Sequence, residues 1–214
     1  MKRTKSLNIL FILGLIFLNT LLANSMFIEP EIGLYKPSDS DFDGDNSLRF
    51  GGNFGMNLQN DYQVYGGYKL WKNEFDDIDE VGDPITQTWD ANFIIIGGRK
   101  IVKIENNPFD VRIGGEFLIS NYEIEYDDKN FDDYDFTGTF KGNGFAIEGG
   151  VLYDFPNSNL KLFAGINYLL LEVELEEVKM GGQTYAPNEL GISKEDSKEE
   201  ADGTNFKVSL IVSL

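Results

Sequence analysis

Hydrophobic and polar positions alternate with a period of two through most of the chain after residue 25, and no segment there sustains the 3.6-residue period of an amphipathic helix. In the first such segment, residues 27–36, Ile28, Ile32 and Leu34 share a face opposite Glu29, Glu31 and Tyr35. The second is the clearest: Leu48, Phe50, Phe54, Met56 and Leu58 oppose Arg49, Asn53 and Asn57, with Gly51 and Gly55 on the polar side. In the third, residues 62–72, Tyr62, Val64, Tyr68 and Leu70 oppose Gln63, Tyr65, Lys69 and Trp71. The fourth sets Trp89, Ala91, Phe93 and Ile95 against Asp90 and Asn92, then turns apolar on both faces at Ile94 and Ile96. The fifth sets Phe109, Val111, Ile113, Phe117 and Ile119 against Asp110, Arg112, Glu116 and Ser120. The sixth sets Phe145, Ile147, Val151 and Tyr153 against Ala146, Glu148 and Asp154. The seventh sets Leu160, Leu162, Ala164, Ile166, Tyr168 and Leu170 against Lys161, Phe163, Gly165 and Asn167. The eighth closes the chain, with Phe206, Val208, Leu210, Val212 and Leu214 opposite Lys207, Ser209 and Ser213.

Eight strands is an even number, and the connections between them alternate long and short. Long ones fall near residues 36–47, 72–87, 127–139 and 174–203; tight ones fall at 59–61, 105–108 and 156–159. In an up-and-down barrel alternate connections emerge at the same end, so the long loops gather at one rim and the turns, with both termini, at the other. Outer-membrane barrels show that asymmetry. The pattern therefore predicts an all-β fold, an eight-stranded antiparallel up-and-down transmembrane β-barrel.

The first residues read differently. Lys2, Arg3 and Lys5 precede an apolar run from Leu7 to Leu18, and Ala23-Asn24-Ser25 supplies small residues for cleavage after Ser25. The run is short for the ~20 residues of a membrane-spanning helix. Residues 1–25 are thus expected to be a signal peptide and residues 26–214 the barrel domain. The 214-residue chain has a formal net charge of −18, and loss of the leader removes three further positive charges. Such a chain is not expected to bind nucleic acid, because phosphate contacts need Lys and Arg.

Alternation alone does not say which face is inside. A soluble calyx turns its apolar side inward; a membrane barrel turns it to lipid. Three features favour lipid. The polar face combines small residues (Gly51, Gly55, Gly67, Gly114, Gly165, Ser209) with a few charges, as a narrow interior requires. Aromatics lie near strand ends, at Tyr62, Trp89, Phe109, Tyr153, Phe155 and Tyr168, as in an interfacial girdle. Acidic residues crowd the long connections: Asp39, Asp41, Asp43 and Asp45; Glu74, Asp76, Asp77, Asp79, Glu80 and Asp83; Asp127, Asp128, Asp132, Asp133 and Asp135; Glu195, Asp196, Glu199 and Glu200. Charges inside a small barrel must pair. Arg49, Lys69, Arg112, Lys161 and Lys207 are expected to pair with Glu29, Glu31, Asp90, Glu116 and Glu148, which predicts a plugged interior.

With its leader, its amphipathic strands, its Gly-Gly pairs (Gly51-Gly52, Gly66-Gly67, Gly97-Gly98, Gly114-Gly115, Gly149-Gly150) and its terminal alternating strand, the chain resembles the small outer-membrane β-barrels of the OmpA/OmpX/OmpW-like group from about residue 27 to residue 214. The resemblance implies residence in the bacterial outer membrane, contact with its lipid and lipopolysaccharide, insertion by the barrel-assembly machinery, and a monomer. That family usually ends in an aromatic residue, whereas this chain ends in Leu214. An OmpW-like relative would be a narrow conduit for small hydrophobic molecules, with an apolar gully near the loop end to which Ile94, Ile96, Leu118 and Leu169 would contribute.

Chemistry is sparse. There is no cysteine and no histidine, so thiol chemistry, most zinc sites and His-based proton transfer are excluded, and the known barrel enzymes use a His. No catalytic, cofactor-binding or metal-ligating residue is assigned, and no cofactor is expected. Asp39-Ser40-Asp41-Phe42-Asp43-Gly44 matches the first half of a calcium loop, but Phe50 stands where the bidentate Glu belongs, so a solvated acidic loop is the better reading. Residues 193–203 have the composition of a mobile exposed segment. The leading functional expectation is a structural or surface-interaction barrel presenting acidic loops to a host molecule or surface ligand. The conduit and a soluble, secreted ligand-binding barrel are the alternatives.

Overall fold

The computed structural model describes residues 25–38, 47–78, 84–128 and 135–214. Ten strands form one antiparallel sheet: β1 (Ser25–Pro37), β2 (Ser47–Asn57), β3 (Tyr62–Ile78), β4 (Pro84–Val102), β5 (Phe109–Asp128), β6 (Phe136–Asp154), β7 (Leu160–Met180), β8 (Gln183–Tyr185), β9 (Lys198–Glu200) and β10 (Gly203–Ser213). Strands β1 to β7 pair in sequence order, β10 pairs with β7, and β10 pairs back onto β1. Eight long strands thus close into a barrel with no open edge around the wall, while β8 and β9 add short ribbons to the far end of β7.

Three turns join the strands at one end, and each contains an asparagine in the left-handed region: Asn60 (φ 59°), Asn106 (φ 59°) and Asn157 (φ 58°). Asn tolerates this conformation better than other non-glycine residues because its short side chain bonds the local backbone. Both ends of the wall meet at this rim, where Leu214 N–H donates to Met26 O. Ser25, on the leader side of the expected cut, is the first residue of β1 and pairs with Asn57.

At the other end the strands run further than the hydrophobic alternation predicts. β1, β2 and β10 span 11 to 13 residues, whereas β3 to β7 span 17 to 21. About 9–11 tilted residues cross a bilayer core, so β3 to β7 continue roughly 20 Å beyond it at ~3.3 Å per residue. The extensions carry many polar residues, so the period-two signal fades although the backbone ladder continues, for example through Thr86↔Asp127 and Thr88↔Glu125. Glu74, Asp76, Asp77, Asp127 and Asp128, expected in loops, are strand residues. Asp39–Asp45, Asp79, Glu80, Asp83, Asp132 and Asp133, with the half calcium motif, lie outside the described residues.

The apolar face of nearly every strand points outward. Ile147 is 68% exposed, Ile96 64% and Phe145 62%, in a continuous band with Phe50, Phe54, Ile113, Ile166 and Phe206. A band of that extent suits a lipid environment and not water. Tyr62, Phe109, Tyr153 and Phe155 lie outward near the turn rim, with ring centroids 5.2 Å apart for Phe109–Tyr153 and 5.1 Å for Tyr153–Phe155. Strand β4 corrects the expectation. Its apolar quartet Trp89, Ala91, Phe93 and Ile95 is buried inside, and Ile94 and Ile96 face out. Trp89 therefore leaves the girdle, and Ile94 and Ile96 leave the expected gully. The interior next to β4 is itself apolar, so hydrophobicity could not distinguish the two faces.

The interior is so narrow that some inward positions must be glycine. A Cβ on Gly97 would lie 2.5 Å from Tyr65 Cζ, and one on Gly150 2.6 Å from Phe163 Cε2. Outward Gly149 has nothing within 4 Å of such an atom. Gly97→Leu is accordingly expected to abolish the folded, SDS-resistant form on unheated gels, while Gly149→Leu retains it. A second outcome tests the faces of β4. Both tryptophans, Trp71 and Trp89, are interior, so bilayers of brominated lipid should quench native fluorescence weakly. They should quench the added emission of Ile96→Trp strongly.

Candidate functional site

Inward side chains fall into three tiers. At the turn rim Phe27, Tyr65, Ile101, Leu152, Phe163 and Ile211 form an apolar cluster. In the middle lie buried charges. Toward the loops, Tyr35, Trp71, Trp89, Ala91, Phe93, Ile95, Leu118, Tyr122, Ala146, Leu169, Leu171 and Val173 form the larger apolar cluster.

Alternation along β1, β2, β3, β4, β5, β6 and β10 brings the middle tier together. Glu29 approaches Arg99 Nη1 and Arg112 Nη1 at 2.6 Å each, and accepts from Ser209 Oγ at 2.5 Å and Asn53 Nδ2 at 3.3 Å. Glu31 meets Lys69 Nζ at 3.0 Å and Lys207 Nζ at 3.4 Å. Glu116 also meets Lys69 at 3.0 Å and accepts from Tyr65 Oη at 3.1 Å. Glu148 meets Arg112 Nε at 2.7 Å and pairs with Lys207. The contacts of Arg99 Nη1 with Glu29 and Arg112 Nε with Glu148 are ion pairs by distance but lack hydrogen-bond alignment. Aromatic rings flank the cations: Arg99 lies 4.6 Å from the Tyr65 centroid and 4.9 Å from that of Phe27, and Arg49 lies 4.5 Å from that of Phe93. Each charge offsets the desolvation of the others.

Of the residues expected to pair inside, Arg49, Lys69, Arg112, Lys207, Glu29, Glu31, Glu116 and Glu148 are buried there. Asp90 and Lys161 are not. Asp90 points out of the barrel and lies 3.6 Å from Lys72, both side chains more than half exposed. Lys161 belongs to the turn rim, 2.8 Å from Asp154. There Lys103 also bonds Asp110 at 2.6 Å; burial works against its charge, but the Asp110 and Asp154 carboxylates outweigh that and raise its pKa. Arg99 was missed. It shares its inward parity with Trp89, Ala91, Phe93 and Ile95, and a charge on that otherwise apolar face was the one available sign that the face is interior.

The segment 193–203 departs from its expected character. β9 pairs with Glu172–Glu174 of β7, Lys198 bonds Glu172 at 2.7 Å, and Ser197 and Ala201 are buried. Tyr35 Oη donates to Ala201 O at 3.0 Å, and Leu171 N–H donates to Asp202 Oδ1 at 2.8 Å. Small residues among its charges let it fold over the loop end. A cavity of about 170 Å³ lies beneath it, among Trp89, Tyr122, Ile124, Phe140, Val173 and Ala201. Leu118 and Leu169 are interior as expected. Among the described residues no acidic cluster is arranged to hold a metal ion.

No protein-family model matches the chain, and no curated protein matches it by sequence. Solved structures do match. Neisserial surface protein A superposes with a TM-score of 0.59 at 12% identity, over 90% of this chain and 99% of that one. A major outer membrane protein from Thermus thermophilus gives 0.53 at 11% identity, over 89% and 100%. Identities this low establish a common architecture: the chain has the fold of the small eight-stranded outer-membrane β-barrels.

Proposed function

We propose that the protein resides in the bacterial outer membrane, exported after loss of residues 1–25, and serves a structural or surface-interaction role with its interior closed to solutes. The observation that carries this reading is the contrast between an exterior of exposed Ile, Phe and Val and a middle tier of interlocked charges. Eight strands leave room for little beyond side chains, and here that room is taken by Arg, Lys and Glu held at contact distance. The same tier speaks against the conduit, because an apolar solute leaving the loop-side cluster would have to displace it. The long extensions of β3 to β7 raise a wet sheet above the bilayer, and its acidic residues offer a surface for a host molecule or for lipopolysaccharide bridged by divalent cations. Cutting after Ser25 removes only the outermost pair of β1, so the wall survives processing. Without histidine or cysteine, the reading includes no enzymatic activity.

Three outcomes test it. In outer-membrane fractions the unboiled protein should migrate differently on SDS gels from the boiled one; recovery in the soluble periplasm with no shift would overturn membrane residence. In planar bilayers the purified protein should give no ion conductance above the bare membrane, and steady current steps would favour the conduit. Glu29→Ala leaves Arg99 and Arg112 without their shared carboxylate, so urea unfolding should show a loss of about 3–5 kcal/mol, the usual cost of orphaning a buried charge.

A further inference from the structure

The outward positions of the apolar band carry one charged residue among the described residues, Lys100 of β4. It is half-buried and lies between Tyr62 of β3 and Ile113 of β5 in the register, close to the turn rim. Its ammonium donates to Asn60 O in the turn and sits 4.3 Å from the centroid of the Tyr62 ring. A lysine bent in this way keeps its stem in hydrocarbon and brings its charge to the headgroup level. No carboxylate of the described residues reaches ion-pair distance of Lys100, although the chain as a whole carries a net charge of −18. An ammonium offers three donors, and the Asn60 carbonyl takes one of them. The lipid-facing wall therefore ends, on the turn side, in a cation without a counter-charge.

The wall beside it is hollow. One rung nearer the bilayer centre, Val64, Gly98, Gly115 and Ile147 follow one another across β3, β4, β5 and β6, so two glycines stand side by side between branched walls. Packing does not require either of them. A Cβ on Gly98 would come no nearer than 3.8 Å to a neighbour, and one on Gly115 no nearer than 3.7 Å. On the inward glycines next to them it would overlap, at 2.5 Å from Tyr65 for Gly97 and 2.7 Å from Arg99 for Gly114. The result is an outward trough of about 720 Å³ that Tyr62, Val64, Gly98, Ile113 and Ile147 line together with Lys100. A second copy of the chain is a poor occupant, because a two-fold contact places the same patch on both partners and would set Lys100 against Lys100. A hydrocarbon chain suits the trough, and a phosphate suits the cation at its turn-side end. We infer that this face holds one anionic phospholipid of the turn-side leaflet, with an acyl chain along Gly98 and Gly115 and its phosphate on Lys100. The inference rests on the membrane residence proposed above.

Ile96→Trp, one outward position from Gly98 on β4, supplies the readout. The barrel is placed in phosphatidylcholine bilayers that contain equal small fractions of either phosphatidylglycerol or phosphatidylcholine brominated on the acyl chains. Brominated phosphatidylglycerol should quench the added emission with an apparent affinity about fivefold above that of brominated phosphatidylcholine, the scale of one lysine's attraction to anionic lipid. Lys100→Gln in the same background should bring the two lipids level, and Gly98→Leu, which fills the floor of the trough, should weaken quenching by phosphatidylglycerol. Both substitutions lie on the outer face, and mobility on unheated gels checks that they fold; Lys100→Gln carries the test alone where Gly98→Leu does not. Leu210→Trp reports from β10, four strands from β4 in either direction around the barrel, and should show no preference. Equal quenching of Ile96→Trp by the two lipids, a preference that survives Lys100→Gln, or the same preference at Leu210→Trp would overturn the site and leave membrane residence intact. Failure of either lipid to quench either tryptophan would overturn residence, and the site with it.

Discussion

A backbone that crosses hydrocarbon must satisfy all of its N–H and C=O groups within the protein, because no water is there to take them. Here that requirement is met where the chain's last strand finds its first: β10 lies between β7 and β1, with pairs from Phe27↔Ser213 to Pro37↔Gly203. Without this seam the sheet would leave two open edges in lipid. The seam also places Ser25 and Leu214 at one rim and sets the circumference at eight strands.

That circumference governs the interior. Eight strands enclose a space only side chains can fill, so inward positions alternate between long residues and glycines that yield to them, as Gly97 does to Tyr65 and Gly150 to Phe163. Charges buried in that space have one another as partners. Glu29 joins β1 to β4 and β5 through Arg99 and Arg112, and Lys207 joins β10 to β1, β5 and β6 through Glu31, Glu116 and Glu148. Most of these links cross the lumen between strands that are not neighbours in the wall, adding to the backbone ladder a set of constraints from the inside. Arg49, at the boundary with the apolar tier, stacks on Phe93, and its Nε and Nη2 have no hydrogen-bond partner among the described residues.

The wall is unequal above the bilayer. β1, β2 and β10 stop near its edge, while β3 to β7 continue as a sheet, and residues 193–203 fold back against β7 over the opening. The chain therefore presents two distinct surfaces on the loop side: a raised acidic sheet, and a chamber partly covered by Ala201 and Glu199.

Much of this is legible in the sequence. Alternation in seven of the eight strands assigned the faces correctly, since lipid and a polar interior impose opposite demands on neighbouring residues. The positions of Asn60, Asn106 and Asn157 marked the turns, because few residues accept the left-handed backbone that tight connections need. Eight of the ten expected interior charges are inside. What the sequence by itself determined, then, was strand number, turn placement and the amphipathic character of the wall, all consequences of local period and local backbone preference. Tertiary structure alone decided the rest. The direction of β4 depended on an apolar tier assembled from five other strands, so Trp89 to Ile95 and Arg99 could be read only together with their neighbours. Asp90 left the interior because β4 turns its apolar face inward, and Lys161 because its place at the turn rim puts it beyond the buried tier. Arg49, Ser120 and Tyr122, from two strands, are brought around Phe93 by register and closure, which no one-dimensional pattern encodes.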